Sequence, residues 1–237
     1  MAKILVSHSR KGGVGKSTLS YELAYRLDAV LVDLEHDRGG VTAKWGYRPQ
    51  DKLRIPILDA VENGRTPRPL KGFRKPRLVP GHPLLATEAP SGEVMADALM
   101  KWADEWDTEW VVVDTHPGAA EHTHGALSVA DVVVAPTTLN LLDLEGLSQL
   151  ADDMSDYPVV VIPNKVPPTP PANGLATLER IVAGTPIQVG LPIPSATAVG
   201  QRTKRIAISS EDPPAKALIP FAEAIDANAK FVKEYTK

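Results

Sequence analysis

Short apolar runs rich in β-branched residues recur along the chain: Ile4-Leu5-Val6, Val30-Leu31-Val32, Trp110-Val111-Val112-Val113, Val132-Val133-Val134 and Val159-Val160-Val161-Ile162. They are continuous rather than alternating, the mark of strands covered on both faces, and so of a parallel sheet between helices. Helical spacing fills the intervals. Leu19, Leu23, Ala24 and Leu27 share one face of a helix over residues 17–27, and further helices are predicted over 92–106, 121–128, 144–154, 175–183 and 215–235. The alternation predicts an α/β fold, a mostly parallel twisted sheet flanked by helices. Trp102 and Trp106, with Leu99 and Met95 on the same stripe, read as a helix packing on that sheet rather than as a stacking surface.

Two stretches break the rhythm. Residues 64–87 carry Arg65, Arg68, Lys71, Arg74, Lys75 and Arg77 among five prolines and read as a loop. Pro167-Pro168-Thr169-Pro170-Pro171 reads as a stiff extended connector, too short to divide the chain. One domain over residues 1–237 is expected. The absence of cysteine excludes disulfides, thiolate metal sites and a cysteine nucleophile. A net charge of -3 excludes a globally basic nucleic-acid coat, so any DNA contact must be local. No apolar run nears the ~20 residues of a membrane span, and the first residues form a strand rather than a signal peptide. A cytoplasmic protein is expected.

The sharpest signal is Lys11-Gly12-Gly13-Val14-Gly15-Lys16-Ser17-Thr18 between the first strand and the first helix. Glycines there let backbone N–H groups close around phosphate oxygens, and the helix N-terminus favours the same anion. In such a phosphate loop Lys16 neutralises the β- and γ-phosphates, Ser17 ligates Mg²⁺ and Thr18 sits near the α-phosphate.

The usual loop has its first glycine where Arg10 stands, and a lysine follows at position 11. This resembles the deviant Walker A motif, K-G-G-x-G-K-[ST], of the ParA/MinD family of ATPases. The resemblance implies an ATP·Mg²⁺-dependent homodimer in which Lys11 reaches the partner's phosphates. Asp33-Leu34-Glu35-His36-Asp37 is similar to the family's Asp-x-Asp-Pro-Gln, with Glu35 for the second acid and His36-Asp37 for Pro-Gln. It implies that Glu35 or Asp37 orients the attacking water. Asp114-Thr115-His116-Pro117-Gly118 is similar to Asp-Thr-Pro-Pro-Gly, with His116 for the first proline, and implies that Asp114 holds Mg²⁺ through water. Asn164-Lys165 matches the element whose Asn reads the adenine edge, with a turn-forming Asn as the alternative, and Leu191-Pro192-Ile193-Pro194 lies where a second adenine loop falls, placing Pro194 there. Ala130 to Thr137 and Asp143 to Leu150 resemble the family's Pro-Thr and Leu-x-Gly-Leu segment.

Within that family the ParA type is the expectation: a nucleoid-associated partition ATPase that binds DNA nonspecifically and is stimulated by a ParB-like centromere-binding protein. The chain begins on its first strand, like the short type without a preceding helix-turn-helix. Arg202, Lys204 and Arg205 are the first candidates for DNA contact, the loop from Arg65 to Arg77 the second, and a solvated face is the alternative for each. A MinD-like switch without DNA binding is the other reading. It calls for an amphipathic membrane helix, whereas Phe221, Ile225, Phe231 and Val232 are diluted by alanines and acids as in a packing helix, so no membrane contact is expected. His116, His122 and His124 read as solvated loop residues.

Overall fold

The structure, a computed structural model, describes residues 1–37, 40–48 and 56–236. Seven parallel strands form one sheet: β1 (Lys3–Ser7), β2 (Val30–Asp33), β3 (Arg77–Val79), β4 (Trp110–Asp114), β5 (Val132–Thr137), β6 (Val159–Pro163) and β7 (Gln188–Val189), in the order β3-β2-β4-β1-β5-β6-β7. The continuous apolar runs have a direct cause. Leu5, Leu31, Val112 and Val134 point into one core, while Ile4, Val6, Val111, Val113 and Val133 point into the other. The period of two thus feeds two helix layers, and both faces must be apolar.

One layer holds α1 (Lys16–Arg26) and α9 (Ile219–Tyr235), with the short α2 (Val41–Trp45) against them. The other holds α3 (Pro56–Glu62), α4 (Gly92–Glu105), α5 (Glu121–Ser128), α6 (Leu141–Asp153) and α7 (Ala172–Val182). A short α8 (Thr197–Gly200) follows β7. Met95, Leu99 and Trp102 of α4 are buried in the core, as the stripe predicts. Phe221, Ile225 and Val232 of α9 are buried too, so this helix gives its apolar face to the sheet. Among the described residues no helix is long and apolar enough to cross a membrane.

Several elements differ from the sequence expectation: α7 starts at Ala172 and α9 at Ile219 rather than at 175 and 215, and the short α2, α3 and α8 are not expected. The stretch 64–87 is not wholly loop: Arg77–Val79 pairs with β2 in parallel register, Leu31 opposite Leu78, and Pro83–Ala86 forms a 3-10 turn. Pro76 and Pro80 bracket a strand of only three residues, which an edge position tolerates. The helix α6 begins at Leu141, three residues before the expected start. Asn140 Oδ1 caps it by accepting from the Asp143 amide at 2.9 Å, while Leu141 and Leu142 stay exposed and add nothing to the buried stripe. The strand β7 has too few apolar residues to show in the sequence.

The C-terminal strand ends carry the site. Ser7 and Asp33 both lie opposite Asp114, and Thr137 lies opposite Pro163. Parallel pairing therefore delivers the loops after β1, β2, β4 and β6 to one rim, beside the turn that opens α1.

Candidate phosphate-binding site

The loop after β1 turns through Gly13 and Gly15, both at positive φ, 83° and 95°. A Cβ at Gly15 would stand 2.2 Å from the Asn164 amide nitrogen, so the position demands glycine twice over. Gly15 precedes α1, and no side chain caps that helix, so its first N–H groups face the loop without a side-chain acceptor. Ser17 and Thr18 stand half-buried on the first turn.

Lys16 is 5% exposed and lies among acceptors. Its ammonium donates to the Thr115 carbonyl, and reaches Asp114 Oδ1 at 3.2 Å and Glu35 Oε2 at 3.5 Å. Asp114 is fully buried at the end of β4. Its Oδ1 also accepts from Ser20 Oγ at 2.7 Å, whereas its Oδ2 has no hydrogen-bond partner among the described residues. An unpartnered carboxylate oxygen at this depth is costly unless a donor or cation meets it.

Asp33 accepts from the amide of Thr42 at 2.9 Å and of Glu35 at 3.0 Å, and from the Thr42 hydroxyl. Burial, then the charge of Asp114, push its carboxyl up to about 7. Thr42 in turn accepts from the Gly81 amide at 2.9 Å, and Gly81 packs so closely that a Cβ there would lie 2.7 Å from the Glu35 carbonyl. Asp33 therefore shapes the loop that carries Glu35. Its role as an organiser was not evident in the sequence, because Thr42 and Gly81 are distant in the chain.

Of the two candidate water-orienting acids, Glu35 is buried and Asp37 is 73% exposed. Burial raises the Glu35 carboxyl, and Lys16 and His116 oppose that shift. Glu35 Oε1 lies 3.4 Å from His116 Nε2, and Asp37 Oδ2 lies 3.5 Å from the same nitrogen. The two acids thus meet at one histidine.

Lys11 is exposed on the outer side of the loop, its stem lying on Gly146 of α6, where a Cβ would be 2.8 Å from Lys11 Cγ. Ser9 Oγ donates to its carbonyl at 3.0 Å. Gly12 is exposed beside it, and Val14 is buried. Asn164 is buried rather than presented at the surface: it donates from Nδ2 to the Val14 carbonyl at 2.7 Å and accepts on Oδ1 from the Lys165 amide at 2.9 Å. Lys165 donates to the Gly13 carbonyl at 2.6 Å. These two residues brace the loop from β6. Pro194 follows Ile193 in a bridge to Val166 and sits half-buried near the same strand end.

Among the described residues the segment 202–205 makes no hydrogen bond or ion pair to this constellation. Arg202 is not the surface cation that its sequence context suggests. Its side chain is 9% exposed and pairs with Glu211 at 3.0 Å, because the turn at 208–210 folds Glu211 back onto it. Lys204, 66% exposed, pairs with the same carboxylate at 2.9 Å. Arg205 is exposed against Gly46. Together with Lys44 and Glu22 these residues line a cavity of about 370 Å³. In the second basic stretch Arg77 is taken up locally, donating to the Asp107 carbonyl at 3.0 Å and to Thr108 Oγ1 at 2.9 Å. His122 is buried in α5, not solvated as the sequence suggests.

No family model matches the chain. It is 31% identical over 165 residues to the chromosome partitioning protein ParA of Myxococcus xanthus, a stretch covering 63% of this chain and 57% of that protein. In fold it is similar to a plasmid partition protein of Borrelia burgdorferi bound to AMPPNP, with a TM-score of 0.75, 20% identity and coverage of 99% and 100%. It is equally similar to the septum site-determining protein MinD of Pyrococcus horikoshii complexed with Mg-ADP, with a TM-score of 0.76, 15% identity and coverage of 99% and 97%. The chain is similar in sequence to a ParA protein and in fold to partition and MinD proteins. The resemblance carried by its motifs holds in sequence and in fold. The matched stretch spans about half to two thirds of the length of the curated relatives.

Proposed function

We propose that the chain is a single ParA-type ATPase domain that binds ATP·Mg²⁺ at this strand rim, dimerises on it and hydrolyses it slowly. The observation that carries the reading is the Lys16 ammonium buried between Asp114, Glu35 and the Thr115 carbonyl, behind a loop of free backbone N–H groups. A phosphate replaces those carboxylates as the lysine's partner, and the anion meets the helix terminus. The donor set fits Mg²⁺: Asp114 Oδ2 lacks a partner among the described residues, and Ser17 stands on the adjoining turn. Bound there, Mg²⁺ supplies charge neutralisation on the phosphates. Asp114 would hold it through water, and Ser17 would ligate it directly.

Lys11 supports the dimer reading: it is exposed, with its stem seated on Gly146, and so is accessible to a second subunit's phosphates. Glu35, buried beside Lys16, is the better placed acid for orienting water; Asp37 lies one shell further out. Asn164 and Pro194 border the base end of the site. In the ATP state, nonspecific DNA contact falls to Lys204 and Arg205 at the surface, with Arg202 behind them, and a ParB-like partner stimulates turnover on the nucleoid.

The second reading is a MinD-like switch that positions a protein complex without DNA, and it has one observation in its favour: Glu211 takes up two of the three charges in the basic segment. Light scattering with and without ATP·Mg²⁺, followed by titration with random duplex DNA, separates the two. The partition reading expects a nucleotide-dependent dimer that Lys11→Ala abolishes while nucleotide still binds, and DNA affinity in the dimer state alone. A nucleotide-dependent dimer that ignores DNA moves the protein to the second reading. No dimer in any nucleotide state overturns both.

A further inference from the structure

The cavity of about 370 Å³ beside the basic segment is lined by four cations, Lys44, Arg202, Lys204 and Arg205. The acids around it do not answer them all. Glu22, fully buried at its wall, is already satisfied: its carboxylate accepts from the Ile208 amide at 2.9 Å, the Ser209 amide at 3.0 Å and the Ser209 hydroxyl at 2.8 Å. Glu211 is shared between Arg202 and Lys204. Two carboxylates stand against four cations, which leaves a surplus of two positive charges.

Lys44 and Arg205 carry that surplus. Among the described residues neither side chain makes a hydrogen bond or an ion pair. The Lys44 ammonium stands 5.7 Å from the centre of the Tyr21 ring. Burial first, and the charge of Arg202 besides, hold it below the usual lysine range against the pull of Glu22. Arg205 is fixed at its backbone, whose carbonyl accepts from the Tyr21 hydroxyl at 2.6 Å. Its guanidinium lies against Gly46, where a Cβ would be 2.5 Å from Nη1. In the wall, Arg202 keeps Nε and Nη2 without an acceptor although its side chain is only 9% exposed. The cavity is thus short of acceptors, not of donors. Like charges gathered in one hollow repel each other, and an anion seated among them relieves that repulsion.

We propose that this cavity binds a small phosphate-bearing anion, free in solution, at a site separate from the phosphate loop. A phosphate monoester carries close to two negative charges at neutral pH, which matches the surplus. The fork of a guanidinium and the compact charge of an ammonium are the two cation types that phosphate recognition uses, and Arg205 and Lys44 supply one of each. The volume lies in the range of small-ligand cavities, and Ile206 and Ile208 give it an apolar wall. The concave shape also decides between a free molecule and a DNA strand. Duplex phosphates lie on a rod that meets Lys204 and Arg205 at the surface but does not enter the hollow in front of Arg202.

The test is calorimetric titration with sodium pyrophosphate in the absence of divalent metal. Two sites per chain are expected, one that Lys16→Ala removes and one that depends on Lys44. Lys44→Gln and Arg205→Gln should each weaken the second site at least about tenfold, because each removes a charge-assisted contact. Arg205 is exposed, so its variant keeps the proposal testable if Lys44→Gln fails to fold. Pyridoxal phosphate maps the site directly: its aldehyde condenses with the Lys44 amine with loss of water, and borohydride reduces the imine to a secondary amine. Peptide mapping should find Lys44 modified, and pyrophosphate should suppress the modification. A titration with no site sensitive to Lys44→Gln and Arg205→Gln overturns the cavity, as does Lys44 labelling that pyrophosphate leaves unchanged. Protection by random duplex DNA but not by pyrophosphate assigns the hollow to the DNA backbone and overturns a free anion as its occupant. Absence of the Lys16-dependent site alone tells against the nucleotide reading and leaves this one standing, so the two failures are distinguishable.

Discussion

The rim around Lys16 and the segment around Arg202 both gather cations, and they differ in what answers those cations. At the rim, Lys16 and Asp114 are 5% and 0% exposed, and their partners come from strand ends locked in register. In the basic segment Lys204 is 66% exposed, and one carboxylate on a short turn serves two cations. Buried charges interact in a medium that screens little, and removing one strands the others. The exposed Lys204 side of that pairing is screened by water and salt and contributes little, whereas Arg202 and Glu211 are themselves only 9% and 10% exposed. The comparison teaches that burial, more than the number of charges, marks where a ligand's charge will matter.

The largest effect that could break this comparison is Lys16→Ala. It removes the loop's only buried ammonium and leaves Glu35 and Asp114 facing each other. We expect nucleotide affinity to fall at least about 100-fold, roughly 2.7 kcal/mol, by calorimetry. Thermal unfolding of the nucleotide-free protein should also reveal destabilisation of about 3 kcal/mol, from uncompensated buried carboxylates. Affinity within tenfold of wild type would remove the rim from the account.

The same contrast explains what could be read in advance. Elements that bury apolar residues on both sides, such as β4 and β5, announce themselves as valine runs, and the glycine-rich stretch before Lys16 announces the turn that opens α1. Asp33, by contrast, acts through Thr42 and Gly81, and Arg202 is answered by Glu211 nine positions later. Such pairings depend on how loops fold back, which local pattern does not encode. The edge strand at Arg77–Val79 escaped for a related reason: its three residues gain their structure from β2 alone. His36 and His116 lie 80 positions apart in the chain, and only the parallel register of β2 with β4 stacks them.

A smaller effect tests the low dielectric of the rim. His8, at the end of β1, accepts or donates at Nδ1 to Thr115 Oγ1 at 2.9 Å, and burial, then Lys16 and Arg10, lower its imidazole to about 4. The ordinary value is 6.5. Above 6.5 neither folded nor unfolded chain is protonated there, and His8 has no influence on the pH dependence. As pH falls from 6.5 to 4 the unfolded chain takes up a proton that the folded chain refuses, so stability drops, levelling below 4. At about 1.4 kcal/mol per pH unit the loss reaches about 3 kcal/mol. Urea unfolding across this window should show the decline in wild type and a flatter limb in His8→Asn. An identical slope in the two proteins would mean the rim is wetter than its burial implies.

The smallest effect sharpens the other half of the comparison. Arg202, first, and Lys204 hold the Glu211 carboxyl below the usual carboxylate range, so it stays ionised at neutral pH and continues to occupy both cations. Glu211→Gln removes that charge. Arg202 remains buried by its surroundings, so only the exposed Lys204 becomes available to a phosphate. That is one added contact per subunit and two per dimer, which steepens the log–log dependence of DNA affinity on salt by about 2. At low salt the variant should bind random duplex several-fold more tightly, equally for all sequences, since phosphate contacts carry no base information. The gain should vanish as salt rises. Adding Lys204→Ala to Glu211→Gln should return the slope to that of wild type. If Glu211→Gln leaves the slope unchanged while nucleotide-dependent DNA binding persists, the DNA surface lies elsewhere, and the exposed cations between Arg65 and Lys75 take its place.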